Sequence, residues 1–230
     1  RDPMFWQSLK VTLIFVAGTI PFTTTLSLGL ALLLNRPLRG RGFLRASFFL
    51  PTVVSLVVIS LIFKQVYAPF GFLNTVLESL GVSGVAWLQN PTTALPAVMA
   101  MDVWAAIGYY TVIYLAGLQT IPVELYEAAE VDGGTGWRKH WHVTLPLLLP
   151  TTLFVVVINT IRSLQVFIEI FVMTRGGPLN STLTSVFYLY EQGFRYFDQG
   201  YASAIAYLLF TITLIFSLIQ SRALRSRTEP

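Results

Sequence analysis

Cysteine is absent from the 230 residues, so the chain has no disulfide framework and no thiolate to hold a metal. Histidine is scarce. His140 and His142 are the two present, and without a His-Glu-x-x-His spacing they leave zinc-dependent hydrolysis without a ligand set. A glycine-rich phosphate loop of the form G-x-x-x-x-G-K-[ST] is missing as well, which excludes ATP hydrolysis by the chain itself. Charge is the fourth scarcity. Charged residues make up 11% of the sequence, against about 25% in an ordinary soluble domain. A domain of this size still exposes most of its polar complement, so a larger core does not explain the deficit, and part of the solvent has to be lipid. The formal net charge of +4 then reads as basic membrane loops, not as a nucleic-acid surface.

What the chain has in abundance is apolar surface: 54% of its residues, with a mean hydropathy of +0.66. A bilayer core about 30 Å thick calls for about 20 apolar residues per spanning helix. Five stretches qualify, at residues 11–34, 46–66, 94–118, 146–173 and 200–221. Lipid offers the backbone no partner, so each is expected to be helical. The fold class is therefore all-α, a polytopic transmembrane bundle forming one domain over residues 1–230. Arg36, Arg39, Arg41 and Arg45 follow the first span, Arg138 and Lys139 the third, and Arg222, Arg225 and Arg227 the last. These alternate segments are expected on the cytoplasmic side, with the amino terminus outside. Residues 1–10 lack the pattern of a signal peptide, and an upstream span is expected before Arg1. Leu73–Leu80, flanked by Gly71, Gly81 and Gly84, reads as a surface helix at the outer interface, near Trp87.

The loop at 119–145 is unlike an ordinary membrane loop. Pro122 suits the first turn of a helix. Glu124, Glu127 and Glu130 recur at helical spacing and complement its amino end. Leu125, Ala128 and Ala129 form a shallow apolar face, and Gly133-Gly134 stops the helix. A second helical piece, Trp137–Thr144, leads to Pro146. Such a knob fits a groove on a partner protein, and its acidic face disfavours the anionic inner leaflet.

Glu127-Ala128-Ala129, Gly133, Val143 and Leu145-Pro146 resemble the EAA motif of binding-protein-dependent ABC importer permeases, with Val143 in the place of isoleucine. The resemblance implies a type I importer permease fold in which this helix couples an ATPase to the membrane spans. Glu124, Tyr126, Glu127, Ala128, Ala129, Asp132, Gly133, Leu145 and Pro146 would then form the coupling surface. It also implies the partners: two ATP-binding-cassette ATPase subunits, a second, different homologous permease, an extracytoplasmic solute-binding protein and membrane lipid. No cofactor is expected on this chain; ATP and Mg would be used by the partner ATPase. The expected location is the bacterial or archaeal cytoplasmic membrane.

Ser163 to Pro178, together with Ala86-Trp87-Leu88, Thr182–Tyr190 and Gly200–Ala204, is similar to the carbohydrate branch of that family, although Ile168 stands where the branch usually has aspartate. This implies a sugar or sugar-like solute moved by alternating access. A non-sugar permease of the same superfamily is the alternative, and a secondary transporter would need more spans and internal repeats. By resemblance, Gly176, Gly177 and Pro178 would meet the solute-binding protein. Asn159, Arg162, Gln165 and Glu169 are polar residues in one span. Steps of three and four put the last three on one face, as pathway residues or as an interhelical clamp. Arg162 suits an anionic or hydroxyl-rich solute. Asp102 is expected nearer the outer interface, in a structural role.

Overall fold

The computed structural model describes residues 2–36, 40–134 and 136–225; Arg1, Arg39 and Arg227 of the basic segments lie outside them. Among the described residues every regular element is helical. Among the described residues four helical stretches are long and apolar enough to cross a membrane, or five if one sharply bent pair counts as a single span.

Helix α1, Pro3–Asn35, begins where Asp2 caps it: the Met4 N–H donates to Asp2 Oδ1 at 2.9 Å, and Pro3 occupies the first turn. Its 33 residues extend about 50 Å, well beyond the expected 11–34. One face carries Ser8, Thr12, Thr19, Thr23 and Ser27, all fully buried. Lipid gives helices no hydrophobic reason to associate, so small polar side chains that allow close approach and bond across the gap do that work. Thr12 Oγ1 donates to Ser185 Oγ at 3.2 Å, Thr19 and Ser163 share a bond of 3.3 Å, and Ser27 Oγ donates to the Ile107 carbonyl at 3.1 Å.

The stretch 46–66 is not one straight helix. Helix α2, Arg41–Val53, and α3, Leu56–Val66, meet at 99°. Pro51 cannot donate to the Ser47 carbonyl and crowds the preceding turn. Val54 then leaves the helix in an extended conformation, and Ser55 starts the next. Helix α4, Phe72–Ser79, is the expected short piece. Asn74 fixes it: its amide donates to the carbonyls of Ala68, Pro69 and Val85, and its Oδ1 accepts from Trp87 Nε1 at 3.0 Å.

Helix α5, Ala94–Gln119, is the most buried of the long helices. It lies against α1, α2 and α9. Gly108 lets the α2 backbone in, since a Cβ there would come within 2.0 Å of the Phe48 carbonyl oxygen. Beyond α5 come α6, Val123–Val131, α7, Trp137–Lys139, a π-helical turn, His140–Thr144, and α8, Leu145–Leu147. The stretch 146–173 also departs from a single helix: α9, Leu149–Leu164, and α10, Ile168–Met173, are separated by a break at 165–167. Helix α11, Ser185–Tyr190, passes through a second π turn, Glu191–Arg195, towards α12, Gln199–Arg225.

Two apolar cores stack along the bundle. Phe15, Val98, Met101, Ile170, Leu183 and Phe187 belong to the first. Ala31, Leu34, Tyr110, Tyr114, Leu148 and Val155 belong to the second, at the end that carries α6. Buried polar groups of α1, α5 and α9 lie where the two meet.

Candidate functional site

Helix α6 protrudes. None of its residues is buried; Val123 is 64% exposed and Val131 88%. Two anchors hold its base. Ile121 is buried in the inner core, and the Tyr126 hydroxyl pairs with Thr144 Oγ1 at 3.2 Å. Glu124, Glu127, Ala128 and Asp132 face outward, with Ala129 half-buried. Gly133 takes φ +75°, a left-handed conformation that glycine adopts without penalty. The Gly134 N–H donates to the Ala129 carbonyl at 2.8 Å and the Gly133 N–H to that of Glu130 at 3.0 Å, which together form a Schellman stop.

The returning chain widens into a π turn in which the Leu145 N–H donates to the His140 carbonyl. Pro146 explains it: without an N–H, it leaves the His142 carbonyl no regular helical donor. Leu145 is half-buried and Pro146 exposed. Lys139 pairs with Glu130 across the loop. Ala129, Asp132, Gly133, Arg138, His142 and Val143 surround a cleft of about 320 Å³. Partial burial, with the cations of Arg36 and Lys139 nearby, holds His140 below the usual histidine value. Trp137 and Trp141, 71% and 56% exposed, extend the apolar surface beside α6; sequence reading had not singled them out.

Between the two cores lies an ion cluster. Arg162 Nη2 on α9 is 2.6 Å from Asp102 Oδ1 on α5 and 3.7 Å from Glu169 Oε1 on α10. Asp102 is thus a partner in the cluster, not an interfacial residue. The cue was present in two opposite charges within separate spans, each too costly to leave unpaired. Gln165 is not with them. The break at 165–167 interrupts the helical period, and Gln165 is exposed, so the shared face predicted for Arg162, Gln165 and Glu169 does not form. Asn159 is fully buried with both amide atoms unpartnered, as are Arg162 Nη1 and the Tyr110 hydroxyl. A cavity of about 360 Å³ at the α2–α3 bend reaches Pro51, Val54, Tyr109, Tyr110 and Arg162. Arg162 thus has two carboxylates beside it, Asp102 and Glu169.

At the other end, Gly176, Gly177 and Pro178 form a fixed turn. The Thr182 hydroxyl donates to the Gly177 carbonyl at 2.8 Å, the Thr182 N–H reaches that of Gly176 at 3.2 Å, and Thr174 and Thr182 bond at 2.7 Å. Gly176 is buried; Gly177 and Pro178 are half-buried and border a cleft of about 500 Å³ with Lys64, Gln65 and Leu88. Nearby, Asp2 Oδ2 accepts hydrogen bonds from Tyr188 at 2.5 Å and Tyr201 at 2.6 Å. Desolvation pushes the Asp2 carboxyl up, but these hydroxyls and the capping amides outweigh it and hold it below the usual carboxylate value.

Residues 23–228 match the family described as binding-protein-dependent transport system inner membrane component. The lactose transport system permease protein LacF of Rhizobium radiobacter is 38% identical over 233 residues, which cover 99% of this chain and 78% of that protein. The trehalose/maltose transport system permease protein MalF of Thermococcus litoralis is 38% identical over 226 residues, covering 98% and 76%. Among solved structures, a bacterial ABC transporter involved in the import of the acidic polysaccharide alginate superimposes with a TM-score of 0.91 at 25% identity, covering 100% of this chain and 82% of that one. An amino acid ABC transporter matches with a TM-score of 0.65 at 18% identity, over 97% and 94% of the two chains, a likeness of fold alone.

Proposed function

The chain belongs to the family of binding-protein-dependent transport system inner membrane components, and from that premise we propose that it moves a neutral, hydroxyl-rich sugar across the cytoplasmic membrane. It is a multi-pass permease subunit of an ABC importer. A sugar is supported by relatives named for lactose and for trehalose/maltose, and by the cavity beside Tyr109, Tyr110 and Arg162. There an aromatic face and unpartnered polar groups lie together, with the cation already balanced by carboxylates.

One observation carries the mechanism: α6 has no buried residue and is attached to the bundle through Ile121 and Tyr126. A helix so mounted acts as a lever. A cleft on an ATP-binding-cassette subunit receives Glu124, Glu127, Ala128 and Ala129. The small alanines allow close approach, Asp132 and Gly133 end the contact, and Leu145-Pro146 pass the displacement to α9. ATP and Mg belong to the ATPase, and this chain supplies no catalytic group. A second permease completes the pathway. Gly176, Gly177 and Pro178 receive the solute-binding protein at the opposite end, a reading supported by the alginate transporter solved with its alginate pentasaccharide-bound periplasmic protein. Asn159, Arg162 and Glu169 line or brace the pathway. In proteoliposomes holding the whole assembly, Glu127→Lys or Gly133→Asp is expected to abolish ATP-dependent sugar uptake while membrane insertion stays normal. Full uptake by both variants would overturn the assignment of α6.

A further inference from the structure

The cleft of about 500 Å³ at the outer end is lined from two parts of the chain. Ala68, Pro69 and Gln89 come from the segment 67–93 between α3 and α5, and Thr174, Gly177 and Pro178 from the turn after α10. Lys64 joins the two. It lies in the last turn of α3, and its Nζ donates to the Val172 carbonyl near the end of α10 at 3.3 Å. Helix ends therefore frame the cleft, and Lys64, Gln65 and Gln89 are exposed beside it. A cation and two amides at helix ends suit water and a protein surface, not hydrocarbon.

The segment 67–93 is held more firmly than a surface connection requires. Asn74 is 2% exposed. Its amide nitrogen lies 3.2, 3.1 and 3.0 Å from the carbonyls of Ala68, Pro69 and Val85. Its Oδ1 accepts from the Val85 N–H at 2.9 Å and from Trp87 Nε1 at 3.0 Å. One side chain thus ties the stretch entering α4 to the stretch that leads to Leu88-Gln89. The Tyr67 hydroxyl donates to the Ala97 carbonyl at 3.0 Å, and Thr93 Oγ1 to that of Trp87 at 2.8 Å, which pins both ends of the segment at the start of α5. Connections of this length are ordinarily mobile. One that is ordered before its partner arrives loses no freedom on binding. Charge indicates the partner: Lys64 lines the cleft, Arg175 is exposed on the adjoining turn, and among the described residues no acid lines it.

We propose that the segment 67–93 is the second jaw of the site that receives the solute-binding protein, that an acidic loop of that protein enters the cleft against Lys64, and that Asn74 is the positioning residue that keeps the jaw ready. The proposal rests on the reading that the turn at 176–178 meets the binding protein. The test titrates the complete assembly in proteoliposomes with its solute-binding protein, purified with solute bound, and follows ATPase stimulation. Asn74→Ala is expected to raise the half-maximal binding-protein concentration about tenfold, because the segment then has to be ordered on docking, while the rate at saturation stays that of wild type. Lys64→Glu is expected to raise it too, by a margin that narrows as salt is added, and Lys64→Arg to leave it unchanged. An unchanged half-maximal concentration in Lys64→Glu would overturn the proposal. So would an Asn74→Ala that lowers only the rate at saturation, the mark of a purely structural role. Gly177→Trp, whose Cβ meets only the Thr174 carbonyl oxygen, at 3.5 Å, reports on the turn itself. If it alone raises the half-maximal concentration, the turn keeps its role and the second jaw falls; if no variant does, both fall.

Discussion

Arg162 stands between two carboxylates in a setting where an unpaired charge is expensive. Arg162→Leu leaves the buried Asp102 and Glu169 without their cation; Arg162 itself is 36% exposed, so the cost falls below that of a fully buried pair, about 3–5 kcal/mol. Thermal unfolding in detergent should show this as a drop in midpoint, partly restored when Asp102→Leu and Glu169→Gln are added. Asp2 gives a prediction with a pH sign. Its folded carboxyl titrates below the usual value, so its stabilisation is complete above about pH 4 and is lost as pH falls through the lower folded value. Asp2→Asn should therefore be less stable than wild type near pH 7, and the gap should close as the medium is acidified below pH 4. A gap independent of pH would discount the Tyr188 and Tyr201 bonds. The sequence held a cue to the first arrangement, two opposite charges in separate spans, but not its geometry, and no cue to the second. Asp102 and Arg162 are distant in the chain, and pairing across spans depends on rotations that periodicity does not set. Asp2 sat in an amino-terminal segment that reads as merely mixed and polar. Arg162 and Glu169 could be singled out, because an ion within an apolar run is conspicuous whatever its partner.

The helical elements show which local signals carry through. Residues 122–134 announced themselves, since Pro122, the acidic first turn and Gly133-Gly134 each act within a few positions, and α6 starts and stops where they say. Pro51 was equally visible, but a proline permits a kink without fixing its angle. The 99° turn between α2 and α3 depends on what α2 meets, and that includes the Gly108 backbone. Gly108→Val would drive a side chain into the Phe48 carbonyl, with a Cβ position 2.0 Å away. Overpacking of this kind costs about 1–3 kcal/mol. Loss of α2 docking should appear as a lower thermal unfolding midpoint in detergent, while Gly42→Ala, whose Cβ meets nothing within 4 Å, should leave the midpoint unchanged. The break at 165–167 had no comparable signal, as no proline or glycine marks it, and for that reason Gln165 was wrongly grouped with Arg162 and Glu169.

Across the whole molecule, composition was enough to read an all-helical membrane bundle, because few charged residues and long apolar runs leave the backbone no other solution. The layered interior was not readable, since Ser8, Thr12, Thr19, Thr23 and Ser27 look like incidental polar residues until α1 is seen against α5, α9 and α11. The balance of charge in the central layer makes a prediction about transport. Asp102→Asn frees part of the Arg162 charge, so the ratio of uronate to neutral sugar uptake in the assembled transporter should rise severalfold. An unchanged ratio with normal assembly would remove Arg162 from the solute's path. Comparing ratios in this way cancels the selectivity contributed by the binding protein. The layer also has a mechanical meaning. Apolar side chains pack with whatever shape meets them, whereas a buried ion holds out for a partner. Any rearrangement of α1, α5 and α9 therefore has to hand Arg162 from one acceptor to another without stranding it, which makes its two carboxylates a condition on how these helices can move.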